Sequence, residues 1–368
     1  MKTIAYVTGT RADYGLMRNT LRLISKNPKL KLRIIATGMH LMPEFGSTIS
    51  EIKKDGFKID VIDAVFRNDD RRSMAEFVGK VVSGMVRKLS DIRPDAVLLL
   101  GDRGEMLAAA VACLYMNVPV VHVHGGEVTR TVDEVARHAI TKLSSYHIAA
   151  TKESAERIRK MGEEPSRIRV FGAPGLDDIR SLHDRKKTAD MFCLDLKRPV
   201  MVVVQHPERA ERATKDMEET MAAADSLRFQ TVIIYPNADA GGRAMIKVIK
   251  KSKSDMISTY KNLPRKDFLS LLNIADVLVG NSSSGMIESA LLRLPVVNIG
   301  ERQKGRQRAG NVIDAKPVRK DIIGAVRKAM GAKLRYKSPY GDGKAGERIV
   351  KFLLRADFSR KALKSMTY

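Results

Sequence analysis

The chain has 368 residues, enough at roughly 100–200 residues per domain for two or three domains with sizeable cores. Its 44% hydrophobic content excludes a disordered chain, no apolar run approaches the ~18 residues of a membrane span, and no segment reads as a secretory signal. Lys and Arg number 66 against 42 Asp and Glu, a formal net charge of +24, and residues 301–368 hold 19 of those bases but only 6 of the acids. An excess of this sign asks for an anionic partner, whether nucleic acid, membrane surface or phosphorylated metabolite. Cys113 and Cys193 alone cannot build a disulfide framework or a cysteine-ligated metal site, so a cytoplasmic protein is the expectation.

Short β-branched runs alternate with longer amphipathic segments along the chain. The expected strands are Ile4–Thr8, Leu32–Thr37, Ile59–Val65, Ala96–Leu100, Val118–Val123, His147–Ala150 and Ile168–Phe171. After an interruption at Gly172-Ala-Pro-Gly175 and the charged stretch to Pro199, they resume at Val200–Val204, Thr231–Tyr235, Met256–Ser258, Val277–Val279 and Val296–Ile299. Helices are expected over Tyr14–Ser25, Met74–Leu89, Gly104–Met116, Glu134–Leu143 and Ser284–Leu292. Continuous apolar strands separated by helices imply parallel sheets covered on both faces, the doubly wound α/β class. The break divides the chain into a first Rossmann-like domain over 1–175 and a second over 176–345, leaving 346–368 for a terminal helix.

Ligands of such sheets bind beyond the carboxyl ends of the strands. Those ends carry Gly9-Thr-Arg-Ala-Asp13, Gly101-Asp-Arg-Gly-Glu105, His124-Gly-Gly-Glu127, Gln205-His-Pro207, Pro236-Asn-Ala-Asp239 and Gly280-Asn-Ser-Ser-Ser-Gly285. With two domains the site is expected in the cleft between them. Ser282, Ser283 and Ser284, ahead of a helix, suit an anion held by hydroxyls and freed amides, although a serine there also serves as a plain N-cap. Glu288, one turn on, suits a ribose diol, and Arg306 in the basic loop Glu301–Gly310 suits a diphosphate. Asp102, Glu127 and Asp133 form a carboxylate set at the strand ends of the first domain, the chemistry of a general acid and base. His122, His124 and Glu127 share the spacing of a zinc site but read as a polar strand-end cluster, so no metal is expected. His206 stands alone after its strand. Gly341-Asp-Gly-Lys-Ala-Gly346 matches the dinucleotide fingerprint literally, yet no strand succeeds it, and it reads as the cap of the terminal helix. An aromatic content of 5% and the absence of Trp leave few stacking platforms for nucleic acid.

Taken in order, TGTRADYGLM from Thr8, TGMHLMPEFGST from Thr37, GDRGEMLAAA from Gly101, HVHGGEVT from His122, DEVARHAITKLS from Asp133, RVFGAPGLD from Arg169, YPNADAGG from Tyr235, GNSSSGMIESALLRLPVVNIGERQKGR from Gly280 and PYGDGKAGERI from Pro339 resemble the UDP-N-acetylglucosamine 2-epimerases. Arg11-Ala-Asp-Tyr-Gly15 and His124-Gly-Gly-Glu127 resemble the hydrolysing branch, which supplies sugars for sialic-acid-type synthesis. The resemblance implies a GT-B-like fold of two Rossmann-like domains, an interdomain active-site cleft and a C-terminal helix crossing back to the first. It implies loss of UDP by elimination to a glycal, followed by hydration with inversion at C2. By family position Asp102 and Glu127 are the acid/base pair, Asp133 supports them, and His206 contacts phosphates or assists the leaving group. Arg11, Ser282, Ser283 and Arg306 would hold the diphosphate and Glu288 the ribose, while Asp13, Ser284, His40, Arg103, Arg137, His138 and Asn237 would line the substrate pocket. No cofactor is implied; the partner is a UDP-linked sugar, with neither nucleic acid nor membrane, and relatives commonly form dimers or tetramers. The motifs leave open UDP-N-acetylglucosamine against a UDP- or GDP-linked 2,4-diacetamido-trideoxyhexose, and a non-hydrolysing epimerase or a GT-B glycosyltransferase uses the same nucleotide site.

Overall fold

The computed structural model describes every residue except 44–47, 67–69, 129–131, 237–240, 335, 360–363, 365–366 and 368. The chain divides into two compact units, Met1–Asp177 with Gly341–Tyr368, and Asp178–Tyr340.

In the first unit strands and helices alternate: β1 (Lys2–Thr8), α1 (Arg11–Ser25), β2 (Leu30–Ala36), α2 (Ile49–Lys54), β3 (Ile59–Val61), α3 (Arg71–Ile92), β4 (Ala96–Leu100), α4 (Gly104–Tyr115), β5 (Val120–Val123), α5 (Val132–Leu143), β6 (Tyr146–Ala149), α6 (Lys152–Lys160) and β7 (Ile168–Val170). The strands form one seven-stranded parallel sheet in the order β3-β2-β1-β4-β5-β6-β7. Every residue of β4 and β5 is buried, as expected of a parallel sheet with both faces covered. One face packs Tyr14, Met17, Leu21 and Ile24 of α1 against Ile4, Tyr6 and Leu98. The other packs Phe77, Val81 and Met85 of α3 and Met106, Ala109 and Cys113 of α4 against Val7, Val97 and Leu99.

The second unit repeats the pattern with α7 (Arg185–Phe192), β8 (Val200–Val204), α8 (Ala213–Leu227), β9 (Gln230–Ile234), α9 (Gly242–Lys250), β10 (Ile257–Tyr260), α10 (Arg265–Ile274), β11 (Val277–Gly280), α11 (Glu288–Leu292), β12 (Val296–Ile299), β13 (Val312–Ala315) and α12 (Arg319–Met330). Its six parallel strands run β10-β9-β8-β11-β12-β13. The chain then returns to the first unit as α13 (Ala345–Arg355), whose Ile349, Val350 and Leu353 enter the core beside Ile4 and Leu21. The Lys2 ammonium donates to the carbonyls of Leu353, Leu354 and Ala356 at 3.1, 2.9 and 2.6 Å, capping α13. At the other end of α13 the amides of Ala345 and Gly346 donate to the Asp177 carboxylate at 2.9 and 2.7 Å. The GxGxxG stretch is therefore the entry to a helix capped by a distant carboxylate.

Several expected boundaries move. The run Ile59–Val65 pairs only to Val61; beyond it Ile62 and Ala64 drop into the α3 layer, Ile62 against Gly84, where a Cβ would lie 2.3 Å from Ile62 Cγ2. β13 was not anticipated, because a four-residue edge strand containing Asp314 has no continuous apolar run. The helix expected over Ser284–Leu292 begins as a 3-10 turn, Ser283–Gly285, and becomes α-helical only at Glu288. α1 starts at Arg11 rather than Tyr14, because Thr10 and Asp13 form a reciprocal capping box.

Both sheets reverse strand order at one point, between β1 and β4 and between β8 and β11. At the second of these Gly280 has φ +133°, and a Cβ there would sit 2.1 Å from the Val204 carbonyl oxygen. Gly280→Ala is therefore expected to lower unfolding free energy by about 3 kcal/mol or more, read as a shifted denaturant midpoint at constant slope.

Candidate active site

A switch point is where a doubly wound sheet leaves a crevice, and both here are lined by the polar sets that the sequence singles out. In the first unit the loop after β1 folds around Asp13. Its Oδ2 accepts from the amides of Gly9 and Thr10 at 3.1 and 3.0 Å and from the Thr10 hydroxyl at 3.0 Å, while Oδ1 accepts from Thr8 Oγ1. Thr8 Oγ1 meets His40 Nε2 at 2.9 Å, and His40 Nδ1 meets Thr48 Oγ1 at 2.8 Å. His40 is fully buried and burial pulls its pKa down to about 4, so the ring is neutral. Asp13 and His40 thus brace the loop from inside. Arg11, in the first turn of α1, pairs with Glu51 at 3.0 Å.

The carboxylates gather at the neighbouring strand ends. Asp102 follows β4 and accepts a hydrogen bond from Arg137 Nη2, while Arg137 Nη1 donates to the Glu127 carbonyl at 2.7 Å. One guanidinium, only 3% exposed, therefore ties the β4 loop to the β5 loop. The Glu127 carboxylate, itself buried, meets His124 Nδ1 at 2.9 Å. His124 has φ +64° and the following turn uses Gly126 at φ +74°, whose Cβ would lie 2.2 Å from the Ser154 carbonyl oxygen; Arg157 Nη1 also donates to the Gly126 carbonyl at 2.6 Å. A strained, pinned turn is a means of aiming one side chain. His122 lies beneath, its Nε2 at 2.7 Å from the Gly101 carbonyl and its Nδ1 at 3.1 Å from Thr141 Oγ1; burial lowers its pKa to about 3. It is a neutral strut under Asp102, and among the described residues no group of three metal-ligating side chains occurs.

Asp133, at the start of α5, is exposed, and its charge acts on Arg103. His138 lies one helical turn on from Glu134, 3.9 Å away, with its pKa lowered by burial. Arg103 carries a salt bridge to Glu105, which in sequence is an ordinary acidic residue of a helix's first turn.

In the second unit Asn281 joins the two strands of the switch point. Its Oδ1 accepts from the His206 amide at 2.7 Å and its Nδ2 donates to the His206 carbonyl at 3.0 Å. Gln303 Nε2 donates to the Asn281 carbonyl at 2.8 Å, and Arg306 Nη1 to Gln303 Oε1 at 3.3 Å, so the basic loop is latched onto β11. Ser282 caps the 3-10 turn through the Ser284 amide at 3.4 Å, with Ser283 and Ser284 half-buried beside it. The five-residue α11 that follows offers little of the helix dipole expected there. Glu288 is buried and accepts from Arg265 Nη2 at 3.1 Å; Arg265 Nε donates to Asp178 at 2.8 Å. Arg265 and Asn281 escaped selection because their roles depend on partners 23 and 75 positions away. Asn237 lies outside the described residues.

Two Rossmann-like domains with polar switch points define a GT-B-like α/β enzyme. A family model described as UDP-N-acetylglucosamine 2-epimerase matches residues 22–354. A hydrolysing UDP-N,N'-diacetylbacillosamine 2-epimerase of Legionella pneumophila is 41% identical over 362 residues, 96% of each chain. A hydrolysing GDP/UDP-N,N'-diacetylbacillosamine 2-epimerase of Campylobacter jejuni is 35% identical over 85% of this chain and 84% of its own. Among solved structures, the UDP-GlcNAc 2-epimerase of Neisseria meningitidis bound to UDP-GlcNAc superimposes with a TM-score of 0.80 at 19% identity, covering 96% of this chain and all of that one. The chain belongs to the UDP-N-acetylglucosamine 2-epimerase family, in its hydrolysing branch. Among the described residues no helix is long and apolar enough to cross a membrane.

Burial raises the Asp13 pKa from 3.8 to about 6. Between those values the folded chain holds more of this proton than the unfolded chain, so the group's contribution to stability falls as pH rises through the window. The stability difference Asp13→Asn minus wild type should therefore grow by roughly 2.5 kcal/mol from pH 4 to pH 7 in urea titrations. A difference independent of pH contradicts the assignment.

Proposed function

We propose that the protein is a hydrolysing 2-epimerase of a UDP-linked 2-acetamido sugar, and that UDP-N,N'-diacetylbacillosamine is its substrate. The observation that carries the reading is the Arg137 guanidinium, which holds the Asp102 and Glu127 loops together in a chain 41% identical to an enzyme named for that reaction. Of the two sugars the motifs leave open, the relatives at 41% and 35% identity favour the diacetamido one over UDP-N-acetylglucosamine.

The C2 proton of such a sugar is weakly acidic and the C1–O bond to UDP breaks as it leaves. One carboxylate of the Asp102/Glu127 pair takes the proton, the C2 electron pair forms the C1–C2 double bond, and UDP departs with the C1–O electrons. The pair then guides water in reverse: hydroxide equivalent to C1, proton to C2 from the opposite face. The net reaction is nucleotide sugar plus water to UDP plus the C2 epimer. The two carboxylates have different neighbours, Asp102 a guanidinium and Glu127 an imidazole. Asp133 and Arg103 complete the charged rim of this unit. On the second unit His206, Ser282, Ser283 and Arg306 bind the diphosphate and assist its departure, and Glu288, held by Arg265, takes the ribose.

Mass spectrometry of products in heavy water is the direct test: UDP and a free 2-epimer carrying one deuterium at C2. Intact substrate, with UDP-N-acetylglucosamine and the GDP-linked sugar also untouched, rejects the reading. UDP release only when an acceptor is added would mark a glycosyltransferase instead. Asp102→Asn and Glu127→Gln should each lower kcat by about 10²–10⁴-fold with the fold intact. Arg137→Lys keeps the charge but lacks the fork that reaches both loops, and should cost about tenfold or more in kcat/KM.

A further inference from the structure

Resting on the placement of Arg103 in the substrate pocket, we propose that Glu105 is a positioning residue for this reaction: it fixes the Arg103 guanidinium on the loop that also carries Asp102. Glu105 lies in the first turn of α4 and is 0% exposed. Arg103, at the N-cap position of the same helix, leaves 37% of its side chain exposed. Its Nε and Nη2 reach Glu105 Oε1 at 3.4 and 3.3 Å, and Nε lies 3.3 Å from Oε2. Nη2 also touches Met39 Sδ at 3.8 Å, so the guanidinium is trapped between the β4 loop and the turn after β2.

The bed for this carboxylate is built from other loops. A Cβ on Gly9 would lie 2.4 Å from Glu105 Oε1, and one on Gly38, which has φ +60°, would lie 3.0 Å from it. Two strand-end loops thus carry glycine where Glu105 must fit. Nothing about this arrangement favours stability by itself. The ion pair is long, it spans only two residues, and Oε2 is buried with no hydrogen-bond partner. A buried carboxylate in that condition costs more than its Coulomb energy returns, and a neutral amide of the same shape would be cheaper to bury. What the charge provides is direction: it draws one edge of the guanidinium inward and leaves the rest of the fork exposed on the β4 loop, able to meet polar groups of a substrate.

The test is a double-mutant cycle on the full chain with UDP-N,N'-diacetylbacillosamine, following UDP release for wild type, Glu105→Gln, Arg103→Lys and the double variant. Glu105→Gln is expected to keep or raise the wild-type denaturation midpoint while losing roughly tenfold in kcat/KM, mainly through KM. The double variant should be no worse than Arg103→Lys alone, because Glu105 acts only through Arg103. Glu105→Asp retains the charge on a shorter arm and replaces Glu105→Gln in the cycle should that protein not fold. Wild-type kinetics in the Glu105 variant, or losses that simply add, overturn the proposal while the epimerase reading stands. A wild-type chain that releases no nucleotide from this sugar, from UDP-N-acetylglucosamine or from the GDP-linked sugar overturns both.

Discussion

Parallel sheets covered on both faces confine polar chemistry to the ends of their strands. β4, β5, β8 and β11 are each paired with a neighbour on both sides and every one of their residues is buried, so a charged side chain along those runs needs a partner inside the core. The carboxyl ends are where the chain is free to carry Asp, Glu, Arg and Ser. The switch points concentrate this further, because adjacent loops there part in opposite directions and leave room for a ligand. Asp102 and His206 each lie just past a strand that borders a reversal, on opposite sides of it: Asp102 follows β4, the counterpart of β11, and His206 follows β8, the counterpart of β1.

The loops so placed are held mainly by arginines that each meet two groups from different segments. Arg137 takes Asp102 and the Glu127 carbonyl, and Arg265 takes Asp178 and Glu288. A planar fork does this where a lysine, a single point donor, cannot. Such pairs contribute little net stability once desolvation is counted, so their value is geometric. The same consideration resolves the charge asymmetry of the sequence. Of the bases after position 300, Lys304, Arg308 and Arg348 lie against Glu301, Asp314 and Asp342, while Arg302 joins the neutral Gln303 at the Asn281 carbonyl. Among the described residues the loop through Arg306 follows β12 and Lys316 follows β13, which leaves a few of the excess charges at strand ends for an anionic ligand.

The fold was legible because central parallel strands are written as unbroken apolar runs, and those at Ala96–Leu100 and Val200–Val204 are strands to the residue. Edge strands were less so: β13 carries Asp314 on its exposed side, and β3 ends where Ile62 turns into the helix layer. The candidate site was legible as a set of loops, since position relative to a strand end needs no tertiary knowledge. The division of labour within it was not. Asp13 and His40 look like ligand-binding residues in sequence, yet their hydrogen bonds are spent on the loop backbone and on threonine hydroxyls. Glu105 and Arg265 look like ordinary helix-start residues, and only their partners reveal otherwise.

The Lys2 cap on α13 means that the first strand of the chain and its last helix belong to one core. During synthesis the second unit can close once Tyr340 has emerged, whereas the first must wait with Ile4, Leu21 and their neighbours short of Ile349 and Leu353. Contacts spanning some 350 positions make that unit slow to complete, and it passes through a stage in which its α1 surface is apolar and uncovered. The half that carries Asp102 and Glu127 is thus the last to become native.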